Sequence, residues 1–167
     1  MIKDIVYFAK VRPDAIVPSK RDEDGGRDLY ACFDEEQIII QPQTSALIPT
    51  GIASAFTSDW VAILKERGST GVKSIKTGAG VIDSGFRNEW QMCMYNGNDK
   101  PILITKETNK DTLKILEDDY VVYPYSKAIC QILILPVPKL TIKEISYDEI
   151  LKIPSERNLG MLGSSQK

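Results

Sequence analysis

The residues able to do chemistry in this 167-residue chain gather around glycine. Nine of its 11 glycines fall into four clusters, each with a charged or hydroxyl residue beside it. Gly25-Gly26 precede Asp28, and Gly68 and Gly71 flank Ser69 next to Arg67. Gly78, Gly80 and Gly85 surround Asp83 and Arg87, while Gly160 and Gly163 lie between Arg157 and Ser164-Ser165. Glycine serves where the backbone needs positive φ or must approach a ligand closely. Any one cluster also reads as an ordinary hairpin turn with polar neighbours. Taken together, arginine forks, backbone amides and aspartates suit a polyphosphate with a divalent metal, the carboxylates holding metal-bound or attacking water. An aspartate within hydrogen-bond reach of a water can act as its general base.

Other chemistries are excluded by composition. There is no histidine, which removes Ser-His-Asp and Cys-His catalysis and histidine zinc sites. The net charge of −2 argues against a duplex-binding surface, so no nucleic-acid partner is expected, although two or three arginines could still hold a small anion. Cys32, Cys93 and Cys130 are far apart and form no CxxC pair, and they read as reduced, mostly buried thiols. Met1-Ile2-Lys3-Asp4-Ile5 lacks the basic-then-apolar pattern of a signal peptide. No apolar run approaches the roughly 20 residues of a membrane helix, so the expected location is cytoplasmic, without membrane contact.

The elements that must position these residues read as strands. Isoleucine and valine make up 30 of the 167 residues, a weight that favours strand over helix. Candidate strands are Ile5–Ala9, Gln37–Gln41, Ser45–Pro49, Trp60–Leu64, Glu89–Tyr95, Pro101–Thr105, Tyr120–Tyr123, Ile129–Leu135 and Leu140–Ile145. Turn residues separate them, as in an antiparallel sandwich or barrel. Trp90, Met92 and Met94 alternate with Gln91, Cys93 and Tyr95, as a strand with two unlike faces requires. One short helix is expected over Ser69–Lys76, capped by Ser69 or Thr70, and Thr141–Leu151 fits either a helix or a strand followed by a turn. Residues 1–154 form the expected β domain, with Lys106–Asp119 a polar, turn-like insertion or hairpin arm. Residues 155–167 form a Gly/Ser-rich tail of disordered composition.

The order of the clusters is specific. Asp24–Ala31, Glu66–Gly71, Gly78–Glu89, Ile129–Ile134 and Arg157–Ser165 resemble the five sequence motifs of the homotrimeric dUTPase family, from Gly25 to Ser165. The third, Gly80-Val81-Ile82-Asp83-Ser84-Gly85-Phe86-Arg87, is the most specific. The resemblance implies an all-β jelly-roll or barrel fold, a homotrimer with active sites at subunit interfaces, and Mg²⁺-dependent cleavage of dUTP to dUMP and pyrophosphate. A trimer also answers the dispersal of the motifs, which a small sandwich would not gather at one face of one subunit.

By the same resemblance, Asp83 activates the attacking water, and the backbone around Gly80 and Ile82 reads uracil. Phe86 stands where a tyrosine usually packs beneath the sugar; a core aromatic is the other reading of this residue. Arg67, Gly68 and Ser69 match the phosphate-binding second motif, although the usual Pro-Arg-Ser reads Glu66-Arg67-Gly68. Asp28 matches the carboxylate that holds the metal's water shell. Gln131 matches the glutamine that orients phosphate or water, while the preceding Gly-Asp-Arg is here Ser126-Lys127-Ala128. A buried, satisfied amide is the alternative for Gln131. In the tail, Arg157 matches the clamp on the terminal phosphate, and Gly163-Ser164-Ser165 the segment closing over the nucleotide. Leu162 replaces the phenylalanine that stacks on uracil.

Two rivals stand beside this reading. A dCTP deaminase, alone or combined with triphosphate hydrolysis, would need a glutamate among polar groups at the pyrimidine; the sequence shows no such placement, and Glu89 is only a weak candidate for it. A dUTPase-like interaction module would use Lys106–Asp119 as a partner-binding arm.

Overall fold

The alternation around Trp90 sets one wall of the core. The computed structural model describes residues 4–156 and 159, and in it Trp90, Met92 and Met94 have no exposed surface while Gln91 faces outward. Gln91–Asn96 is a strand (β9), paired antiparallel with Ser45–Pro49 (β4) and Ile75–Gly78 (β7). Phe8 of Tyr7–Lys10 (β1) packs edge-on to Trp90, with ring centroids 5.7 Å apart. That strand pairs with Ile52–Ala55 (β5) in a two-stranded sheet.

The second wall is a four-stranded sheet. Cys130–Pro136 (β12) lies between Arg27–Leu29 (β2) and Trp60–Lys65 (β6), and Val81–Ile82 (β8) is added to the far edge of β6. Leu29, Ala62, Leu64, Cys130 and Ile132 face the core from this sheet. Gln37–Ile40 (β3), Ile102–Thr105 (β10) and Val121–Pro124 (β11) form a third group in the order β11-β10-β3. The candidate strands thus hold with end shifts of at most two residues, except Leu140–Ile145, which is irregular. β2, β5, β7 and β8 were not anticipated; they are short, and their glycines, serines and charges mask the alternation.

Three short helices occur among the described residues, where one was expected. Gly68–Gly71 (α1) stops early because Ser74 takes positive φ (56°) and Ile75 is drawn into the core as the first residue of β7. The expected helix to Lys76 therefore ends one turn after it begins. The segment expected as a hairpin arm contains Lys110–Leu116 (α2). The Asn109 side chain caps it by accepting from the backbone N–H groups of Asp111 (2.9 Å) and Thr112 (3.2 Å). Its helical form has a topological reason: β10 and β11 are parallel, and parallel neighbours need a crossover rather than a tight turn. Tyr147–Leu151 (α3) decides the open segment in favour of a helix, with Ser146 and Glu149 forming a reciprocal capping box.

Gly26 packs closely against the Gln131 side chain. A Cβ there would collide with the Gln131 side chain, whereas one on Gly25 would meet nothing within 4 Å. Gly26→Ala should therefore cost about 1–3 kcal/mol of unfolding free energy, and Gly25→Ala less than about 0.5 kcal/mol, measured by chemical denaturation.

The three cysteines are free; Cys32 and Cys130 are buried and Cys93 is half-buried. Burial pushes the Cys130 thiol up to about 12, with the Asp28 carboxylate adding to the effect, and burial also raises Cys32. A raised thiol pKa withholds the reactive thiolate. Titration of the native protein with a thiol reagent at pH 8 should modify Cys93 far faster than the other two, and all three should react after unfolding.

Candidate active site

The first group of candidate residues is assembled by β2, β12 and β6. In the ladder Asp28 lies opposite Gln131, and Gln131 opposite Lys65, so the end of β6 delivers Glu66 and Arg67 beside the aspartate. Arg67 Nε sits 2.9 Å from Asp28 Oδ1, and a second guanidinium nitrogen is 3.4 Å from Oδ2. A third donates to the Ala128 carbonyl at 3.3 Å, and the Tyr123 hydroxyl donates to the same oxygen at 2.6 Å. Burial raises the Tyr123 phenol above its usual range, with Arg67 opposing the shift.

Gln131 is half-buried and donates its Nε2–H to the Glu66 carbonyl at 2.9 Å, its carbonyl end lying against Gly26. It is a partly satisfied amide at a pocket wall rather than a core amide. The Glu66 carboxylate is held below the usual carboxylate range, first by its own backbone N–H and then by Lys65, whose Nζ is 3.3 Å away. Arg67 N–H donates to Thr70 Oγ1 (2.9 Å), and that hydroxyl in turn donates to the Arg67 carbonyl, which fixes the Arg67-Gly68-Ser69 turn.

These residues line one polar cavity of about 720 Å³. Asp28, Arg67, Gly68, Ser69 and Gln131 share it with Gly25 and Gly26. Ser19, Lys20, Arg21 and Asp24 complete the wall, and the sequence reasoning did not anticipate them. The signal was the charged run Lys20–Asp24 directly before the first glycine cluster. Arg21 and Asp24 pair at 2.9 Å on the surface. Three cationic side chains against two carboxylates leave the cavity suited to a small anion.

The second group lies elsewhere. Ala79 takes positive φ (47°), and Gly80 presses on β6, where a Cβ would strike the Leu64 carbonyl. The Gly80 carbonyl accepts from Leu64 N–H at 2.7 Å. The Ala79-Gly80 turn thus carries the chain from one sheet to the other, since β7 and β8 belong to different sheets. Ile82 is buried, Asp83 is exposed, and Phe86 N–H donates to the Asp83 carbonyl at 3.0 Å, closing a turn. Phe86 is 41% exposed, so it is not a core aromatic.

The two groups sit at opposite edges of one sheet. Asp28 on β2 and Asp83 just past β8 are separated by three strand spacings, about 14 Å, and by about four residues along the strands, about 13 Å. The resulting separation of roughly 19 Å keeps a single copy of the chain from using both on one reacting centre.

Arg87 belongs to the second group and was not among the expected site residues. Its guanidinium donates to the Ser84 carbonyl (2.6 Å), the Phe86 carbonyl (3.2 Å) and the Ser54 carbonyl on β5 (3.3 Å). Glu89 is engaged: its Oε1 accepts from Gly51 N–H at 2.7 Å and from Arg12 Nε at 3.1 Å. A carboxylate so occupied is poorly placed to serve as a deaminase glutamate. The expected tail residues Arg157, Leu162, Gly163, Ser164 and Ser165 lie outside the described residues.

Comparison with known proteins follows the same lines. The sequence profile of the dUTPase family matches residues 13–109. A deoxyuridine 5'-triphosphate nucleotidohydrolase of Wolbachia pipientis is 30% identical over 146 residues, covering 86% of this chain and 81% of that protein. The protein of the same name from Gloeobacter violaceus is 28% identical over 145 residues, covering 85% and 82%. Among solved structures, a dUTPase variant of Staphylococcus bacteriophage 80alpha with dUpNHpp superposes with a TM-score of 0.74 at 19% identity, covering 99% of this chain and all of that one. A dUTPase of phage phi11 of S. aureus, described with a structural Mg(II) ion, gives 0.66 at 17% identity, covering 87% of this chain and 99% of that one. With a profile spanning more than half its length, this all-β chain belongs to the dUTPase family.

Proposed function

We propose that the protein hydrolyses dUTP to dUMP and pyrophosphate, at sites completed by neighbouring copies in a homotrimer. The observation that carries this reading is the separation of the Asp28–Arg67 cavity from the Asp83–Phe86 turn, two coherent half-sites on opposite edges of one sheet. Large apolar side chains at the surface support association of copies: Leu47 is 62% exposed, Val81 62%, Leu140 75% and Ile142 88%.

In the mechanism, the Asp83 carboxylate of one copy takes a proton from a water whose oxygen bonds to the α-phosphorus. The bond from that phosphorus to the bridging oxygen breaks, and pyrophosphate leaves. Arg67 offers its planar fork to the phosphate oxygens, with Gly68 and Ser69 beside it. The Asp28–Arg67 pair joins side chains that are each about one-third exposed, so exchanging it for phosphate contacts costs little. Gln131 orients phosphate or water with the end of its amide not bound to Glu66. The backbone around Gly80 and Ile82 reads the uracil edge, and the Phe86 ring lies under the sugar where a 2′-OH would clash. Residues 155–167 act as the closing segment of the 1–154 domain: Arg157 on the terminal phosphate, Leu162 over uracil, and Gly163-Ser164-Ser165 along the nucleotide.

The donor set fits Mg²⁺ held through water. Among the described residues no three carboxylate or thiol groups converge as a direct cage, while Asp28 presents a carboxylate at the cavity that would receive the triphosphate. When bound, Mg²⁺ would neutralise part of the triphosphate charge. Among the described residues no helix is long and apolar enough to cross a membrane.

Pyrophosphate release from dUTP, measured beside dTTP, dCTP and UTP with and without Mg²⁺, tests the reading; ammonia release from dCTP would favour the deaminase instead. Asp83→Asn should lower kcat by about 10²–10⁴-fold while KM changes little. Shared sites predict complementation. Asp28→Asn should act mainly through the Mg²⁺ dependence. At an Mg²⁺ concentration where it and Asp83→Asn are each inactive alone, the two proteins unfolded and refolded together should recover activity at up to about a quarter of the sites. No recovery in a mixture shown to exchange subunits would place both aspartates in one copy.

A further inference from the structure

The turn that carries Asp83 and Phe86 stands at the protein surface: Ser84 is half-buried, and Gly85, Phe86, Arg87 and Asn88 are exposed. One internal backbone bond, from Phe86 N–H to the Asp83 carbonyl, closes it. Such a turn has little burial to hold its shape, and local stability is low where apolar contacts are few. Its ties to the body are mainly side chains, and they reach the short stretch Gly51–Ser54, at and within β5, and Arg12.

The geometry points to Arg87 as a positioning residue for the Asp83–Phe86 turn, with the Arg12–Glu89 pair as its second anchor. One guanidinium nitrogen of Arg87 lies within 3.3 Å of three carbonyl oxygens: Ser84 and Phe86 inside the turn, Ser54 on β5. The first two contacts curl the turn around the cation, and the third pins it to the sheet. Two residues on, Glu89 Oε1 receives Gly51 N–H and Arg12 Nε, and the Trp90 N–H reaches the Ile52 carbonyl at 2.7 Å. Gly51 is itself fixed, at φ +67° with no room for a Cβ beside Ala15. A charged donor on neutral carbonyls makes stronger hydrogen bonds than neutral pairs do, and arginine remains protonated throughout the range in which proteins work. That Arg87 nitrogen is engaged by the backbone of its own turn and of β5 rather than by a ligand.

This inference rests on the dUTP reading, because the consequence of misplacing the turn is read on that substrate. Asp83 and Phe86 ride on the turn together, so loosening it should disturb both the attacking water and the exclusion of a 2′-OH. A displacement of about 1 Å at a catalytic group can cost up to about 100-fold in rate.

The test compares the full-length wild type with Arg87→Met, Arg87→Lys and Glu89→Gln, using kcat and KM for dUTP and for UTP and the thermal midpoint of each protein. Arg87→Met should lower kcat for dUTP by about 10- to 100-fold, narrow the preference for dUTP over UTP, and leave the thermal midpoint close to wild type. Arg87→Lys, which keeps the charge with a single point donor, should recover part of both losses. Glu89→Gln keeps an acceptor for Gly51 N–H but loses the ion pair, and should move in the same direction by less. An Arg87→Met protein with raised KM but unchanged kcat and unchanged dUTP/UTP preference would make Arg87 a phosphate ligand and overturn the inference. So would losses that simply follow a lowered thermal midpoint across the variants. Should Arg87→Met fail to fold, an unchanged preference in both Arg87→Lys and Glu89→Gln would overturn it equally. Should the wild type release no pyrophosphate from dUTP, the substrate reading itself falls, an outcome separate from any of these.

Discussion

The pairing of β12 on both sides governs the arrangement of everything chemical in this chain. Cys130–Pro136 is hydrogen-bonded to β2 along one edge and to β6 along the other. Cys130 and Ile132 are completely buried, so a one-residue slip would turn them outward and bring Gln131 into the core. That cost fixes the register, and the register sets Asp28, Gln131 and Lys65 in one row across three strands. The Arg67 turn follows directly from the end of β6. The same sheet carries β8 on its far side, which keeps Asp83 apart from Asp28 within one chain.

Electrostatics at the cavity is arranged for exchange rather than for stability. The Asp28–Arg67 pair joins side chains about one-third exposed, and a pair in that setting contributes about 0–1 kcal/mol. The backbone around it is held by neutral bonds instead, from Gln131 to the Glu66 carbonyl and within the Arg67–Thr70 turn. The glutamate that stands where the resembled motif has proline is paired with Lys65, whose Nζ is 3.3 Å from its carboxylate.

The turn after β8 presents the opposite balance. Its charged residues face the protein's own backbone, with Arg87 on three carbonyls and Glu89 on Gly51 N–H. The exposed Asp83 and Phe86 are thereby displayed from a surface loop whose base is tied to β5. Long-range pairing of this kind joins positions 30 or more residues apart, from Ser54 to Arg87 and from Gly51 to Glu89.

By itself the sequence determined the class of the fold and the chemistry of the motifs. Alternation at Trp90, Met92 and Met94 and the weight of isoleucine and valine required half-buried strands, because a period of two can bury one face only in extended chain. Glycines beside Asp28, Arg67 and Asp83 marked the chemical positions, because close backbone approach leaves a local trace in residue type. The capping box at Ser146 and Glu149 is equally local, two residues three apart, but it went unread and the segment around it stayed open between helix and strand. Strand partners were not local. The helical form of Lys110–Leu116 followed from β10 and β11 being parallel neighbours, and the early end of α1 from the burial of Ile75. The division of the candidate residues into two half-sites followed from sheet order, and the use of Arg87 and Glu89 as anchors from what β5 places beside them. Only the tertiary structure decided these, because each depends on which distant strand lies alongside, and that choice minimises the energy of the whole core rather than of any one segment.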